Sequence, residues 1–233
     1  KNMPETFRFS VPYLYFYDKL ERANFFLERI LIDKGRNADG QIDRARFYSP
    51  AGEGGQWYQM VDLIEKYGLV PEACMPETYH SENSQQFCYV LNKIIRHGAV
   101  QLIHEMDNGA DEKRLAIIKD KCLASVYKLL SECLGTPPEH FRYEYKNSNG
   151  NYQKIEMTPL EFANDFCECH LDDYVYVVDV PGKERPYHRT FTLESSGNVW
   201  GKKGIYYNIS MKEIKPMLLA QLSDNETIWF GCD

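Results

Sequence analysis

Two long stretches with apolar residues at helical spacing constrain the fold more than any other feature of this sequence. They run from about Ser81 to Met106 and from Glu112 to Leu134, and the second ends at Gly135, a residue typical of helix termini. The apolar stripe of the second stretch consists of Leu115, Ile118, Cys122, Val126, Leu129 and Cys133. Such a pair of helices needs a shared core, so the sequence predicts a helix-rich fold.

Four further helices are predicted from caps and periodicity. One begins after Ser10 and runs to about Leu31, and its stripe is Leu14, Tyr17, Leu20 or Glu21, Asn24 and Leu27. Another spans Gln56 to Tyr67 and stops at Gly68. Two shorter helices begin at capping boxes, the segments Thr158–Glu161 and Ser210–Glu213.

Alternating residues predict strands between and after these helices. Phe141 to Tyr145 and Tyr152 to Ile155 flank an Asn149–Gly150 turn signal and predict a β-hairpin. Three other segments read as strands: Tyr174 to Val180, Tyr187 to Leu193, and Thr227 to Cys232. The predicted fold class is therefore α+β.

Composition narrows the class of protein. Hydrophobic residues make up 43% of the 233 residues and aromatic residues 14%, which excludes a disordered chain. The net charge of −7, without a run of five like charges, argues against nucleic acid as a partner. No apolar run reaches the roughly 18 residues of a membrane span, and no leader is evident, so we expect a cytoplasmic protein without membrane association.

The seven cysteines indicate free thiols in a reducing compartment, because their number is odd and their spacing irregular. Cys167, Cys169 and His170 could contribute to a zinc-binding module, which is one alternative function. Three candidates within four residues and no second pair nearby make a poor tetrahedral site. We therefore predict no metal and no cofactor.

Gly54 and Gly55 stand directly before the predicted helix that starts near Gln56. A glycine pair there can form a tight turn, with Trp57 in the core. It can also present its backbone to a ligand that any side chain would obstruct. The residues alone leave both interpretations open.

Seven sequence motifs occur in a characteristic order along the chain. Ser10–Arg22 reads SVPYLYFYDKLER, Glu53–Trp57 reads EGGQW, and Leu63–Pro71 reads LIEKYGLVP. The remaining four are Leu134–Glu139, Asn151–Lys154, Thr158–Phe162 and Trp229–Asp233. Together they resemble the bleomycin hydrolase and aminopeptidase C family of papain-like cysteine peptidases. The resemblance implies a partial papain-like cysteine peptidase fold with a large, mostly helical insertion.

In that family the catalytic cysteine and oxyanion glutamine precede the region that begins at Ser10, and the histidine and asparagine follow the Trp229–Asp233 motif. The resemblance therefore implies that this chain is an internal piece without catalytic residues. Its first residue, Lys1, and its end within an apolar strand suggest the same. We expect the chain to be inactive alone.

The resemblance implies that Gly54, Gly55, Gln56 and Trp57 bind peptide substrates. The glycines would pair with the substrate backbone, while Gln56 and Trp57 would adjoin a specificity pocket. Gly231 is a weaker match to a strand that flanks the same pocket. Tyr58 departs from the family pattern, where an aspartate is usual.

The resemblance also implies three regions. Residues 1–78 would form a papain-like helical lobe, residues 79–210 a family-specific insertion for oligomerisation, and residues 211–233 a return to the papain-like β region. Family members form homohexamers through the insertion. A catalytically inactive, self-associating scaffold domain is the alternative function from a different class.

Overall fold

The computed structural model describes residues 3–166, 171, 174–180, 182–192 and 197–231. Its helices are α1 (Val11–Asp33), α2 (Arg44–Tyr48), α3 (Trp57–Tyr67), α4 (Tyr79–Glu82), α5 (Ser84–Asp107), α6 (Glu112–Leu134), α7 (Pro159–Phe166) and α8 (Met211–Ser223). Its strands are β1 (Phe141–Lys146), β2 (Tyr152–Met157), β3 (Tyr176–Val178), β4 (Arg189–Thr192) and β5 (Ile205–Asn208). The predicted mixture of helices and small sheets is confirmed.

Helix α1 lies at the centre of the core and contacts α3, α5 and α6. Ser10 caps it, since its hydroxyl accepts a hydrogen bond from the Tyr13 amide at 3.1 Å. The predicted stripe was only partly right: Leu27 and Glu21 are buried, whereas Leu14, Tyr17, Leu20 and Asn24 are half-buried. The buried apolar side chains are instead Tyr13, Phe16, Ala23, Phe26, Leu27 and Ile30. A helix covered on several sides has no single apolar face for periodicity to find.

Helices α5 and α6 pack against each other and against α1. Gly98 permits their close approach, because a Cβ atom there would lie 2.4 Å from the Cys122 sulfur. The predicted α6 stripe is confirmed in part: Ile118, Cys122 and Val126 are buried. Leu115, Leu129 and Cys133 are half-buried, and the buried face continues at Leu130 and Leu134 instead. One core contains residues of α1, which precedes residue 78, and of α5 and α6, which follow it. The predicted region boundaries at 78 and 210 stay a prediction.

The helix predicted from Ser81 is interrupted at Asn83, which separates α4 from α5. The Asn83 side-chain amide donates to the carbonyl of Tyr79 at 3.1 Å, and its backbone amide donates to the same carbonyl at 2.9 Å. Asparagine side chains compete in this way with helical hydrogen bonds. The short helix α2 was not predicted.

Strands β1 and β2 form the predicted antiparallel hairpin, in which Phe141 pairs with Met157. A second sheet has the order β3-β5-β4, with β3 parallel and β4 antiparallel to β5. The strands β3 and β4 are shorter than predicted, and β5 was missed. The prediction of a strand at Thr227–Cys232 was wrong for residues 227–231, which pair with no strand in the described part of the chain.

We predict that Gly68→Ala destabilises the fold by about 3 kcal/mol, combining about 1–2 kcal/mol of backbone strain with overpacking. Gly68 has a φ of 79°, and a Cβ atom would lie 2.2 Å from the carbonyl group of Pro159. Urea unfolding gives the change in the free energy of unfolding. Gly109→Ala is the matched control, since Gly109 has a φ of 77° and open space around it. Equal costs for the two variants would contradict the role of the Pro159 contact.

Candidate functional site

The candidate site is the glycine segment, Gly54–Trp57, which connects the loop after α2 to the start of α3. Gly54, Gly55 and Gln56 are exposed, and Trp57 is half-buried. Gly54 has a φ of 82°, and a Cβ atom there would meet nothing within 4 Å. A Cβ atom on Gly55 would lie 2.8 Å from Gln59 Oε1. Backbone conformation thus favours glycine at the first position, and close packing favours it at the second.

Neither the N–H nor the carbonyl of Gly55 makes a hydrogen bond within the described residues. By contrast, the Gly54 carbonyl accepts a hydrogen bond from Arg22 Nη2 at 2.6 Å, and the Gln56 amide donates to Gln59 Oε1 at 2.9 Å. Gly55 therefore offers one exposed donor and one exposed acceptor between two anchored neighbours. An extended peptide can pair with such a residue.

Lys19 supports the preceding loop from inside the protein. Its side chain is 0% exposed, and its Nζ donates to the carbonyls of Gly52 at 2.7 Å and Ala51 at 3.3 Å. Asp18 Oδ2 lies 3.7 Å away, and the Tyr15 ring centroid lies 4.7 Å away. Burial lowers the pKa of Lys19, and Asp18 opposes this change.

Arg22 continues this support one turn further along α1. Its Nε lies 2.8 Å from both carboxylate oxygens of Asp18, which fixes the guanidinium beside the glycine segment. Asn198 is fully buried, and its side-chain amide donates to Asp18 Oδ1 at 3.1 Å and to the Gln59 carbonyl at 3.2 Å. Helices α1 and α3 are thus joined behind the site.

Glu53 directly precedes the glycine pair, and its carboxylate accepts hydrogen bonds from neighbouring side chains. The Tyr15 hydroxyl donates to Glu53 Oε1 at 2.6 Å, and the Cys88 thiol lies 3.5 Å from the same oxygen. Hydrogen bonds from Ser84 and then Tyr15 lower the pKa of Glu53 below its usual value of 4.5. The carboxylate is therefore ionised at neutral pH.

An open groove of about 750 Å³ extends from Glu53 toward α2 and α5. Arg44 and Arg96 lie in its wall, and Arg96 Nη1 donates to the carbonyls of Phe47 and Tyr48 at 3.2 and 3.0 Å. The groove adjoins the glycine segment without containing it.

Trp57 lies in an aromatic group at the start of α3. Its ring centroid is 5.5 Å from that of Tyr174 and 5.8 Å from that of Trp229. Trp229 is 64% exposed and precedes the exposed Gly231, so the structure brings this weaker candidate's segment to the predicted site. Tyr58 instead points into the protein, where its ring packs against Tyr206.

Three supporting residues escaped the sequence analysis: Lys19, Arg22 and Asn198. A signal for the first two was present, because Asp18–Arg22 places four charged side chains within a helix that is rich in aromatic residues. Asn198 carried no comparable signal.

The four cysteines within the described ranges are free: Cys74, Cys88, Cys122 and Cys133. Burial raises the pKa of each thiol, that of Cys122 to about 11. The described residues contain no group of three potential metal ligands, and the candidate zinc ligands Cys167, Cys169 and His170 lie outside them. In the same part of the chain, no helix combines the length and apolarity needed to span a membrane.

We predict that Glu53→Gln reduces stability at neutral pH and that this difference disappears in acid. Because the folded-state pKa of Glu53 is lowered, its contribution is complete above pH about 4.5 and is lost as the pH falls through the folded-state value. Urea unfolding of both proteins across this pH range measures the difference. The control is Glu82→Gln, since the Glu82 carboxylate makes no hydrogen bond among the described residues. A difference that persists unchanged below pH 3 would contradict the assignment.

Comparison with known proteins identifies similar chains over nearly the whole length. Aminopeptidase C of Lactococcus lactis subsp. lactis is 36% identical over 230 residues, which cover 98% of this chain and 52% of that protein. Human bleomycin hydrolase is 35% identical over 235 residues, with coverages of 98% and 52%. The chain thus spans about half the length of these curated relatives.

A solved structure and a family model agree with these similarities. The crystal structure of PepW from Lactobacillus rhamnosis HN001 matches with a TM-score of 0.93 and 34% identity, covering 99% of this chain and 52% of that one. The described fold is accordingly a papain-like α+β fold. The model of the Peptidase C1-like family matches residues 1–233. The chain therefore belongs to the Peptidase C1-like family.

Proposed function

We propose that this chain forms part of the substrate cleft of a cysteine aminopeptidase, which removes N-terminal residues from peptides by thiol acylation. The observation that carries the proposal is the exposed, unpaired backbone of Gly55 beside an anchored Gly54 carbonyl. The names of the relatives, aminopeptidase C and bleomycin hydrolase, support the reaction class.

In this proposal, the Gly55 amide donates to a substrate carbonyl and the Gly55 carbonyl accepts from a substrate amide. Two such bonds align a peptide antiparallel to the glycine segment, as in strand addition to a sheet edge. The absence of a Cβ atom lets the two backbones approach, while the start of α3 keeps the segment in place. Alignment of this kind holds the scissile carbonyl near a nucleophile.

Gln56 and Trp57 form the side-chain part of this proposed subsite. The side-chain amide of the exposed Gln56 can form hydrogen bonds with a ligand, and the Trp57 ring offers apolar surface beside Trp229. Trp57 Nε1 is buried and has no hydrogen-bond partner within the described residues. The apolar surface of the Trp57 and Trp229 rings suits a substrate side chain with an apolar body.

The acylating thiol is proposed to lie outside the described cysteines. Attack on a carbonyl requires a thiolate, and reactive cysteines have a lowered pKa. The raised pKa of each described thiol is opposite to that requirement. The half-length coverage of the relatives is consistent with a nucleophile supplied by sequence beyond these residues.

Self-association through residues 79–210 is a second proposed role. Helices α5 and α6 expose several large apolar side chains, namely Tyr89, Val90, Val100, Ile117 and Tyr127. Exposed apolar surface of this kind favours protein–protein contact. Light scattering across a range of protein concentrations tests whether the chain assembles; the scaffold alternative requires assembly without peptide binding.

We predict that Gly55→Ala lowers the affinity for a tetra-alanine peptide about tenfold, because the added methyl group obstructs the approaching backbone and crowds Gln59. Calorimetric titration of the purified chain gives the dissociation constants. Gly182→Ala is the matched control, since Gly182 has no positive φ and a Cβ atom there would meet nothing within 4 Å. Unchanged affinity in Gly55→Ala would contradict the proposed subsite.

We also predict that an epoxide inhibitor of papain-type cysteines forms no adduct with this chain at neutral pH. The described thiols are held in the unreactive protonated form by their raised pKa. Intact-mass analysis after incubation detects any adduct, and full alkylation by iodoacetamide after unfolding verifies that the thiols are free. One stoichiometric adduct in the folded protein would identify a nucleophile within the chain and overturn its proposed absence.

A further inference from the structure

We propose that Lys19 and Arg22 are positioning residues, which hold the glycine segment in the conformation that pairs with a peptide. Both belong to α1 and are three residues apart. Lys19 donates to the Gly52 carbonyl in the loop before the segment, and Arg22 donates to the Gly54 carbonyl in the segment. The inference rests on the proposed function, because binding of a peptide is what gives the restraint a role. Its structural content, the restraint of Gly54 and Gly55, can be measured separately.

The burial of Lys19 and the path of the loop depend on each other. An ammonium group without exposure to solvent is unfavourable unless hydrogen bonds and charge replace the lost water. Here the carbonyls of Ala51 and Gly52 accept from Nζ at 3.3 and 2.7 Å, while Asp18 supplies a negative charge at 3.7 Å. If the loop moved away, Lys19 would lose both carbonyl acceptors. The loop is thereby fixed on its inner side.

Arg22 restrains the glycine pair at both ends. Its Nη2 donates to the Gly54 carbonyl at 2.6 Å and lies 3.4 Å from Gln59 Oε1, the atom that accepts the Gln56 amide. One guanidinium therefore contacts the group before Gly55 directly and the group after it through Gln59. The N–H and the carbonyl of Gly55 itself lie between these anchors and remain available.

The orientation of Arg22 is itself fixed. Asp18 accepts from Arg22 Nε through both oxygens at 2.8 Å, and the buried Asn198 donates to Asp18 at 3.1 Å. Planar guanidinium–carboxylate pairing gives direction as well as charge, which a lysine would not reproduce. The geometry suits a positioning role, because precise orientation matters most for a backbone that must pair with a ligand.

The test compares Arg22→Met with Arg29→Met in the 233-residue chain. Arg29 lies two turns further along α1 and forms an ion pair with Asp33 at 3.5 Å. It therefore resembles Arg22 in lying on α1 and pairing with an aspartate four residues away, but it does not contact the glycine segment. Amide ¹⁵N relaxation measures the order parameters of Gly54 and Gly55. Titration with tetra-alanine measures the affinity of the same samples.

We expect the order parameters of Gly54 and Gly55 to fall from about 0.85 to below about 0.6 in Arg22→Met, with a loss of affinity of about tenfold. Arg29→Met should retain both values. Arg22→Lys should recover part of the affinity, since it keeps a cation near Gly54 but not the paired contact with Asp18. Lys19→Met should loosen the segment in the same way.

Unchanged order parameters in Arg22→Met and Lys19→Met would overturn the inference. So would equal losses in Arg22→Met and Arg29→Met, because these would indicate a general effect of charge removal from α1. If Arg22→Met does not fold, the order parameters and affinity of Arg22→Lys decide by the same criteria. If the wild-type chain binds no tetra-alanine, the proposed function fails, whereas the order parameters still decide whether Arg22 restrains the segment.

Discussion

The need to satisfy charged groups inside the protein, around α1, underlies much of this structure. Helix α1 is covered by α3, α5 and α6, so Lys19 and Glu21 have almost no exposure to solvent. Each must find its partners within the protein. Lys19 finds backbone carbonyls of the loop before α3, and Glu21 accepts from Lys66 at 2.5 Å and from Tyr67 at the end of α3. The position of α3 is therefore coupled at both of its ends to charges on α1.

Elements with strong local signals could be predicted from the sequence. Helix α3 has a regular apolar face and a glycine stop, and the β1–β2 hairpin has a turn whose Asn147 side chain accepts from the amides of Asn149 and Asn151. These features depend on residues that are neighbours in the chain. The buried face of α1 could not be predicted, because it is set by three other helices at once. Strand β5 was missed for a related reason: it is four residues long and pairs with strands that precede it.

The candidate site likewise has one part that the sequence could predict and one part that it could not. The glycine segment itself was proposed from a contiguous motif, and Gly54, Gly55 and Gln56 are exposed in the structure. The residues behind it could not be identified, since they are separated in sequence from the groups they contact. Arg22 and Gly54 are 32 residues apart, and Asn198 and Asp18 are 180 apart. No local pattern records such pairs. The one sequence feature that indicates such contacts is the presence of charged residues in a helix rich in aromatic residues.

The contact between Asn198 and Asp18 also sets an order for the appearance of the site during synthesis. At about 5–20 residues per second, a ribosome takes roughly 10–40 s to add the 180 residues that separate them. Once Tyr67 has been added, a nascent chain can form α1, the loop and α3, but the Asn198 side chain that joins Asp18 to α3 has not yet been made. The glycine segment therefore acquires its last support only after Asn198 has been translated.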